Sequence, residues 1–434
     1  MIVLSLQSGT SADGIDVAVV EIEPARPAEG ANATPLRLTP LHTSTVDWDP
    51  ALRARILSVA AGEALDAGGW TRLTTELGQA FADAAAGGIR ASGATPELIV
   101  SHGQTVHHWV EGGHARGTLQ LGEPAWIAER AGVPVLSDVR MADIAAGGEG
   151  APLMAFFDRL WLGEEARTAG RTIATVNLGG IANVQLVGAD GSVVAFDTGP
   201  GNCLIDAVVD RQTAGAQGYD EGGRLAVAGR VHEALLAALL AHPYFAARAP
   251  KSTGRETFDL GVVDAAVAAV AATTGGEDGA DARDALPFAD LVATLTELTA
   301  RAVVDALADD APVVLVCSGG GALNPVLLAR IAEHATARGI SVESSAARGL
   351  DPAFKESLMF ALLGYCSRHG VPIELGPDPA GARVLGRFSP GPQPLDLPAP
   401  LAGVASIVIE HRAIERRTIE HRTDEHRTNG GATP

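Results

Sequence analysis

The chain is short of several things. Of 434 residues only three are cysteine: Cys203, Cys317 and Cys366. They stand too far apart for a ligand cluster or a disulfide framework, and a reducing cytoplasm fits that usage. Aromatic residues make up 4%. No apolar run is long enough for a membrane span. The first residues also lack the basic and apolar regions of a secretion signal. Basic residues are outnumbered, 32 against 52 acidic, and the formal net charge is -20. That balance argues against nucleic acid and anionic membrane as partners, since both call for basic surface. Lysine is nearly absent, with Lys251 and Lys355 set against 30 arginines (32 minus 2). A lysine kept in such a chain is expected to have a specific task. Asparagine is also scarce. Four of the six, Asn177, Asn183, Asn202 and Asn324, stand beside glycine or proline.

What is present is 47% hydrophobic and long enough for two or three domains of roughly 150 residues each. An apolar strand at Ile2–Leu6 runs into LQSGTSADGID, and IDVAVVEIE follows as a second strand. LRLTPLHTST reads as a third. Helices are expected near 50–61 and 70–92. ELIVSHG reads as a strand ending in a polar loop, PAWIAERAG as a short helix and VPVLSD as a strand. The pattern then restarts. TIATVNLGGIANVQLVG is strand, glycine turn, strand, and VVAFDTGPGN is a strand entering a turn. Helices follow near 203–213, 231–241 and 286–308, then the buried strand PVVLVCSGGG and a helix from Asn324. Two glycine-turned hairpins, each leading into αβ units, suggest a structural duplication. GGEDGADARDA reads as a loop. The five-residue repeat IEHRA-IERRT-IEHRT-DEHRT from Ile409 fits neither helix nor strand and reads as a solvated extension.

Several stretches could carry chemistry. In Gly9–Asp16, successive backbone amides could nest a phosphate, with hydroxyls from Ser8, Thr10 and Ser11. Asp13 and Asp16 could hold Mg²⁺ directly or through water. An ordinary polar hairpin is the plainer reading of this turn alone. Asn177–Asn183 has the same layout, and Ser318–Gly321 could lie flat against a base or ribose. Asp197, before a Gly-Pro-Gly turn, could be a general base or only a turn residue. Ser101–Thr105 could read sugar hydroxyls, or His102 could be structural. Asp138, Arg140, Asp143 and Glu149 flank a Gly-Gly turn that could be substrate loop or hinge. Lys251, Ser252, Thr253 and Arg255 form a cationic, hydroxyl-rich segment. It suits an anionic ligand or a carboxylate across a cleft. No G-x-S-x-G frames Ser8 or Ser101, which disfavours a serine hydrolase.

Taken together, SGTSADGID, SHGQTV, DVRMADIAAGGEGAPL, NLGGIANV, FDTGPGN, PKSTGRE and CSGGGALNP resemble, in order, the motifs of the anhydro-N-acetylmuramic acid kinase family. The resemblance spans residues 2 to 390. It implies the sugar kinase/actin-like ATPase superfamily: a two-lobed, ribonuclease H-like α/β fold with two mixed-sheet domains around a nucleotide cleft. The division it implies is an N-terminal lobe over 1–168, a C-terminal lobe over 169–350, a segment over 351–400 whose helix returns to the first lobe, and a tail over 409–434. The implied reaction uses ATP, Mg²⁺ and water to convert 1,6-anhydro-N-acetylmuramic acid to its 6-phosphate. Asp197 matches the base. Gly9, Thr10, Ser11, Ala12, Asp13, Gly14, Ile15 and Asp16 match the first ATP turn. Asn177, Gly179, Gly180, Gly319, Gly320 and Gly321 match the rest of the ATP site. His102, Gln104, Thr105, Arg140 and Glu356 match the sugar side. Gln7, Met141, Ala142, Glu149 and Ser357 depart from the family's usual residues. They fall toward the sugar side, so the exact sugar is left open, as are a related kinase of shifted specificity and a non-catalytic nucleotide or sugar sensor. The expected partners are ATP and an anhydro amino sugar in the cytoplasm, with no nucleic acid or membrane. A homodimer is compatible with this reading.

Overall fold

A computed structural model describes residues 1–26, 33–274, 286–307, 312–375 and 381–410. The loop expected at 275–285 and the repeat beyond Glu410 lie outside the described residues.

Two sheets organise the chain. The first is built on β1 (Ile2–Ser8), β2 (Ile15–Pro24), β3 (Thr34–Val46), β4 (Leu98–Glu111), β5 (His114–Leu121) and β6 (Val135–Ser137). The second is built on β7 (Ile173–Leu178), β8 (Ile181–Val187), β9 (Val193–Pro200), β10 (Val314–Ser318) and β11 (Ser341–Ser344). Their inner strand orders are β6-β4-β1-β2-β3 and β11-β10-β7-β8-β9. In each, an antiparallel three-strand meander is joined on its first strand by two parallel strands. The duplication expected from the two glycine hairpins is therefore real at the level of topology, and the order is that of the ribonuclease H-like fold.

The first sheet is extended by chain that returns from the far end. β12 (Arg387–Ser389) pairs antiparallel with β6, and β13 (Val404–Ile409) pairs parallel with β3. Ile409 is buried and Glu410 forms an ion pair with Arg37. This corrects the expectation of a solvated extension from Ile409, because Ile407 and Ile409 complete an apolar face. A second correction concerns Ser101–Thr105. It is a stretch of the long strand β4 with shifted registers on both sides, not a loop.

Each helix lies where its apolar stripe finds a sheet. On the helix Ala67–Ser92, Leu73, Leu77, Phe81 and Ala85 recur every four residues and face β1 and β4 across a common core. Asp66 caps its start and Gly93, at φ 64°, ends it. The helices Met154–Ala169 and Lys355–Arg368 cover the other face of this sheet. The first of them also crosses to the second sheet. Its Phe156, Phe157 and Leu160 sit in the first core, while Leu162 and Ala166 pack on Ile173 and Val187. Where the two helices meet, Lys355 Nζ lies 2.8 Å from Asp158 Oδ1 and donates to Thr175 Oγ1 at 3.2 Å. Lys355 and Asp158 are buried, so this ion pair ties both helices to β7 away from water. The helices Phe288–Asp305 and Pro325–Thr336 cover the second sheet. A helical layer from Cys203 to Leu298 forms a separate core.

Candidate active site

The first glycine turn joins β1 to β2. Ala12 N donates to Gly9 O at 3.0 Å, which folds the turn on itself. The amides of Thr10, Ser11 and Asp13 meet no acceptor among the described residues. Ala12 and Ile15 are core side chains, so they can offer a ligand only backbone. Gln104 sits beneath, fully buried, and its amide donates to Gly9 O at 3.0 Å. Gln104 thus braces this turn through its Nε2, a role its position in SHGQT did not reveal. Thr105 accepts from Gln120 within the β4–β5 hairpin.

Asp197 stands within β9, opposite Asn183. Its Oδ2 accepts from Ser252 Oγ and from Thr253 N, both at 2.9 Å. Its own amide donates to Lys251 O. Its Oδ1 has no hydrogen-bond partner among the described residues. Burial raises its pKa, against the opposing pull of the two hydrogen bonds. The segment Pro250–Glu256 therefore acts as a clamp on Asp197. Lys251 does not meet an anion: its ammonium donates to Tyr244 O at 2.9 Å and lies 4.4 Å from the Tyr244 ring centroid. Both lysines of the chain hold structure, and of the two readings of this segment the carboxylate partner is the one seen, as Asp197 held by Ser252 and Thr253.

Across the cleft, Glu356 heads the returning helix. Asn177 Nδ2 donates to its Oε1 at 3.1 Å. Burial raises its pKa, while Arg140 opposes that and Asp16 adds to it. Asp16, Arg140, Asn177 and Glu356 therefore converge from both lobes. Arg140 donates to Gly150 O at 2.7 Å and approaches His102 Nε2 at 3.4 Å. The His102 ring stacks on Phe360 and is buried. Burial and then Arg140 hold its pKa well below the usual histidine range, so it is neutral at pH 7. Ser101 and His102 line a cavity of about 480 Å³ with Gln120, Asp138 and Arg387. Two of the departing residues explain each other: Gln7 Nε2 reaches Ser357 Oγ at 3.5 Å and Asp16 Oδ2 at 3.2 Å. Glu149 faces outward, accepting from Ala115 N and bonding His114 Nδ1 beside the turn of the β4–β5 hairpin.

The second glycine turn, Gly179–Gly180, is locked by the chain after β9. Gly201 N and Cys203 N donate to Gly180 O, and Asn202 N to Gly179 O. Gly319, at φ 84°, packs where a Cβ would lie 2.8 Å from Leu178 N, so only glycine fits. Gly320 is exposed beside it and Gly321 is buried.

A divalent cation requires oxygen ligands, one or two carboxylates for Mg²⁺ with water and phosphate completing the shell. No group of three or more His, Cys, Asp or Glu among the described residues is arranged to cage a metal. Asp13 is exposed, with one contact to Arg53 at 3.2 Å. Asp206 on the helix Cys203–Gln212 is pushed up to about 7, first by burial, with Asp13 adding and Arg255 opposing. Two carboxylates from opposite lobes whose charges repel suit an ion shared with a phosphate. Asp16 suits it less, because both its oxygens already accept, from Gln7 and Thr45. Asp206 was not legible as a candidate; its only sequence signal is that it follows FDTGPGN on the same segment.

The repeated strand order, with a glycine turn closing the first hairpin of each sheet, places the chain in the class of two-lobed ribonuclease H-like proteins. A family model described as anhydro-N-acetylmuramic acid kinase matches residues 1–390. The anhydro-N-acetylmuramic acid kinase of Streptomyces coelicolor is 45% identical over 404 residues, covering 92% of this chain and 96% of that protein. That of Rhodococcus erythropolis is 43% identical, with 90% and 94% covered. That of Xanthomonas oryzae pv. oryzae is 43% identical, with 90% and 97% covered. The chain belongs to the anhydro-N-acetylmuramic acid kinase family. Among solved structures, a ROK family glucokinase from Streptomyces griseus in complex with glucose and AMPPNP has a TM-score of 0.33 at 16% identity, covering 84% of this chain and 99% of that one. A likeness that slight bears no argument here.

Proposed function

We propose that this chain is an ATP-dependent kinase that opens 1,6-anhydro-N-acetylmuramic acid with water and phosphorylates the freed 6-oxygen. Asp197 takes a proton from the water as its oxygen bonds to the anomeric carbon. The bond from that carbon to the bridging oxygen breaks, and the bridging oxygen becomes the 6-oxygen. That oxygen bonds to the γ-phosphorus as the link to the β-phosphate breaks, and ADP leaves. The proton passes on to solvent. The observation that carries this reading is the Asp197 carboxylate. One oxygen is fixed by Ser252 and Thr253, and the other has no hydrogen-bond partner. Burial raises its pKa, which makes the carboxylate a stronger base toward water.

The amides of the first glycine turn and the second hairpin around Gly179–Gly180 hold the phosphates, and the turn at Ser318–Gly321 holds the nucleoside side. Arg140 and Glu356 hold the sugar, with His102 at its edge. Asp13 and Asp206 would hold Mg²⁺, with Asp16 in its water shell. The ion supplies charge neutralisation on the phosphates. Phosphoryl transfer depends on this alignment more than on covalent help from the protein. A cytoplasmic location, recycling of cell-wall sugar and the lobe boundaries 1–168 and 169–350 belong to the same reading.

The test is incubation with ATP, Mg²⁺ and 1,6-anhydro-N-acetylmuramic acid in ¹⁸O-water. The expected product carries label at the anomeric hydroxyl and phosphate on the 6-oxygen. ADP formed without any sugar product would overturn the proposal.

A further inference from the structure

A nucleotide triphosphate brings several negative charges into a chain of net charge -20. Transfer of its terminal group needs a cation there. Neither lysine is free. Lys251 is spent on the carbonyls of Tyr244 and Phe245, and Lys355 is buried on Asp158. The arginines nearest the turns are mostly engaged as well. Arg53 donates to Ala12 O, Ser11 O and Asp13, and Arg140 to Gly150 O.

Arg255 differs. It is exposed, and it has no hydrogen bond or ion pair among the described residues. Its guanidinium lies over the second glycine turn. A Cβ on Gly180 would come within 3.0 Å of Nη2 and 3.2 Å of Nε. The missing side chain at Gly180 is what lets the guanidinium sit there. Arg255 is also two residues beyond Thr253, whose amide holds Asp197. One segment therefore fixes the base and carries an unpaired cation to the turn. Its charge also reaches Asp206 and Cys203 on the neighbouring helix.

We infer that Arg255 contacts the γ-phosphoryl group of ATP and stabilises the charge on its oxygens as the phosphorus passes from the β-phosphate oxygen to the sugar 6-oxygen. The inference rests on the kinase reading above. A planar guanidinium can offer two parallel donors to two phosphoryl oxygens, which an ammonium cannot. Because Arg255 holds nothing else in place, its removal should leave the fold intact.

The experiment compares wild type with Arg255→Ala and Arg255→Lys, by steady-state sugar phosphorylation and by calorimetry with ADP and a non-hydrolysable ATP analogue. Arg255→Ala is expected to lower kcat by about 10²–10³-fold, with Arg255→Lys retaining more and added guanidinium restoring part of the loss. Affinity for the ATP analogue should fall by about tenfold or more while ADP affinity moves less than about threefold. Wild-type kcat in Arg255→Ala, or equal weakening of ADP and the analogue, would overturn the inference. The two readings fail separately. A wild-type enzyme that makes no sugar phosphate, yet prefers the ATP analogue through Arg255, loses only the sugar reading. One that turns over normally with or without Arg255 loses only this one.

Discussion

Residues 9–14 and residues 179–180 close equivalent hairpins in sheets of the same strand order. The first turn is long, exposed at Gly9 and Thr10, and leaves the amides of Thr10, Ser11 and Asp13 without an acceptor among the described residues. The second is tight. Its two carbonyls accept from Gly201, Asn202 and Cys203, and Gly319 and Gly321 press against Leu178 behind it. The same topology thus yields one turn with free amides and one whose carbonyls are tied into a frame. The frame is what positions Asp197, which follows β8 by one hairpin and sits beside the clamp of Ser252 and Thr253. Duplicated architecture has been given divided labour.

The sharpest way to break that division is at the base. Asp197→Asn should lower kcat by about 10³-fold while ATP affinity by calorimetry stays near wild type; near-normal formation of the sugar phosphate would remove Asp197 from its role. Next comes the link between lobes. Asp158→Ala leaves Lys355 buried and unpaired and should cost about 3–5 kcal/mol in chemical denaturation. Replacing both partners with apolar residues should cost much less. Third, the two turns should respond differently to an added side chain. Gly9→Val meets only an ordinary contact in the fold, with Ser11 Oγ 3.7 Å from the added Cβ, so ATP affinity should fall with an unchanged Tm. Gly319→Ala meets positive φ and Leu178, so stability should drop by more than about 1 kcal/mol.

The pH dependence refines the picture further. Burial raises the Asp197 pKa, so the acid limb of kcat should lie above the ordinary aspartate range, with activity lost as falling pH protonates the base. Ser252 donates to the ionised form and holds the pKa down. Ser252→Ala should therefore move that limb to higher pH. The smallest effect is expected from the tail. Removal of residues 411–434 should leave kcat and Tm unchanged. Removal from Val404 onward should lower Tm, because β13 pairs with β3 and buries Ile407 and Ile409.

Much of this was legible in the amino-acid order. Glycine turns at strand ends, strand–helix alternation and the run of motifs from SGTSADGID to CSGGGALNP give the duplicated architecture and the family. They do so because backbone conformation and burial are local demands that each segment answers for itself. Partnership was not legible. That Gln104 braces Gly9, that both lysines are structural, that Gln7 meets Ser357, and that Arg255 stands unpaired over Gly180 depend on which residues the fold brings together from far apart in the chain. A carboxylate or a cation acquires its role from the charges and oxygens around it, and only the closed tertiary structure chooses those neighbours.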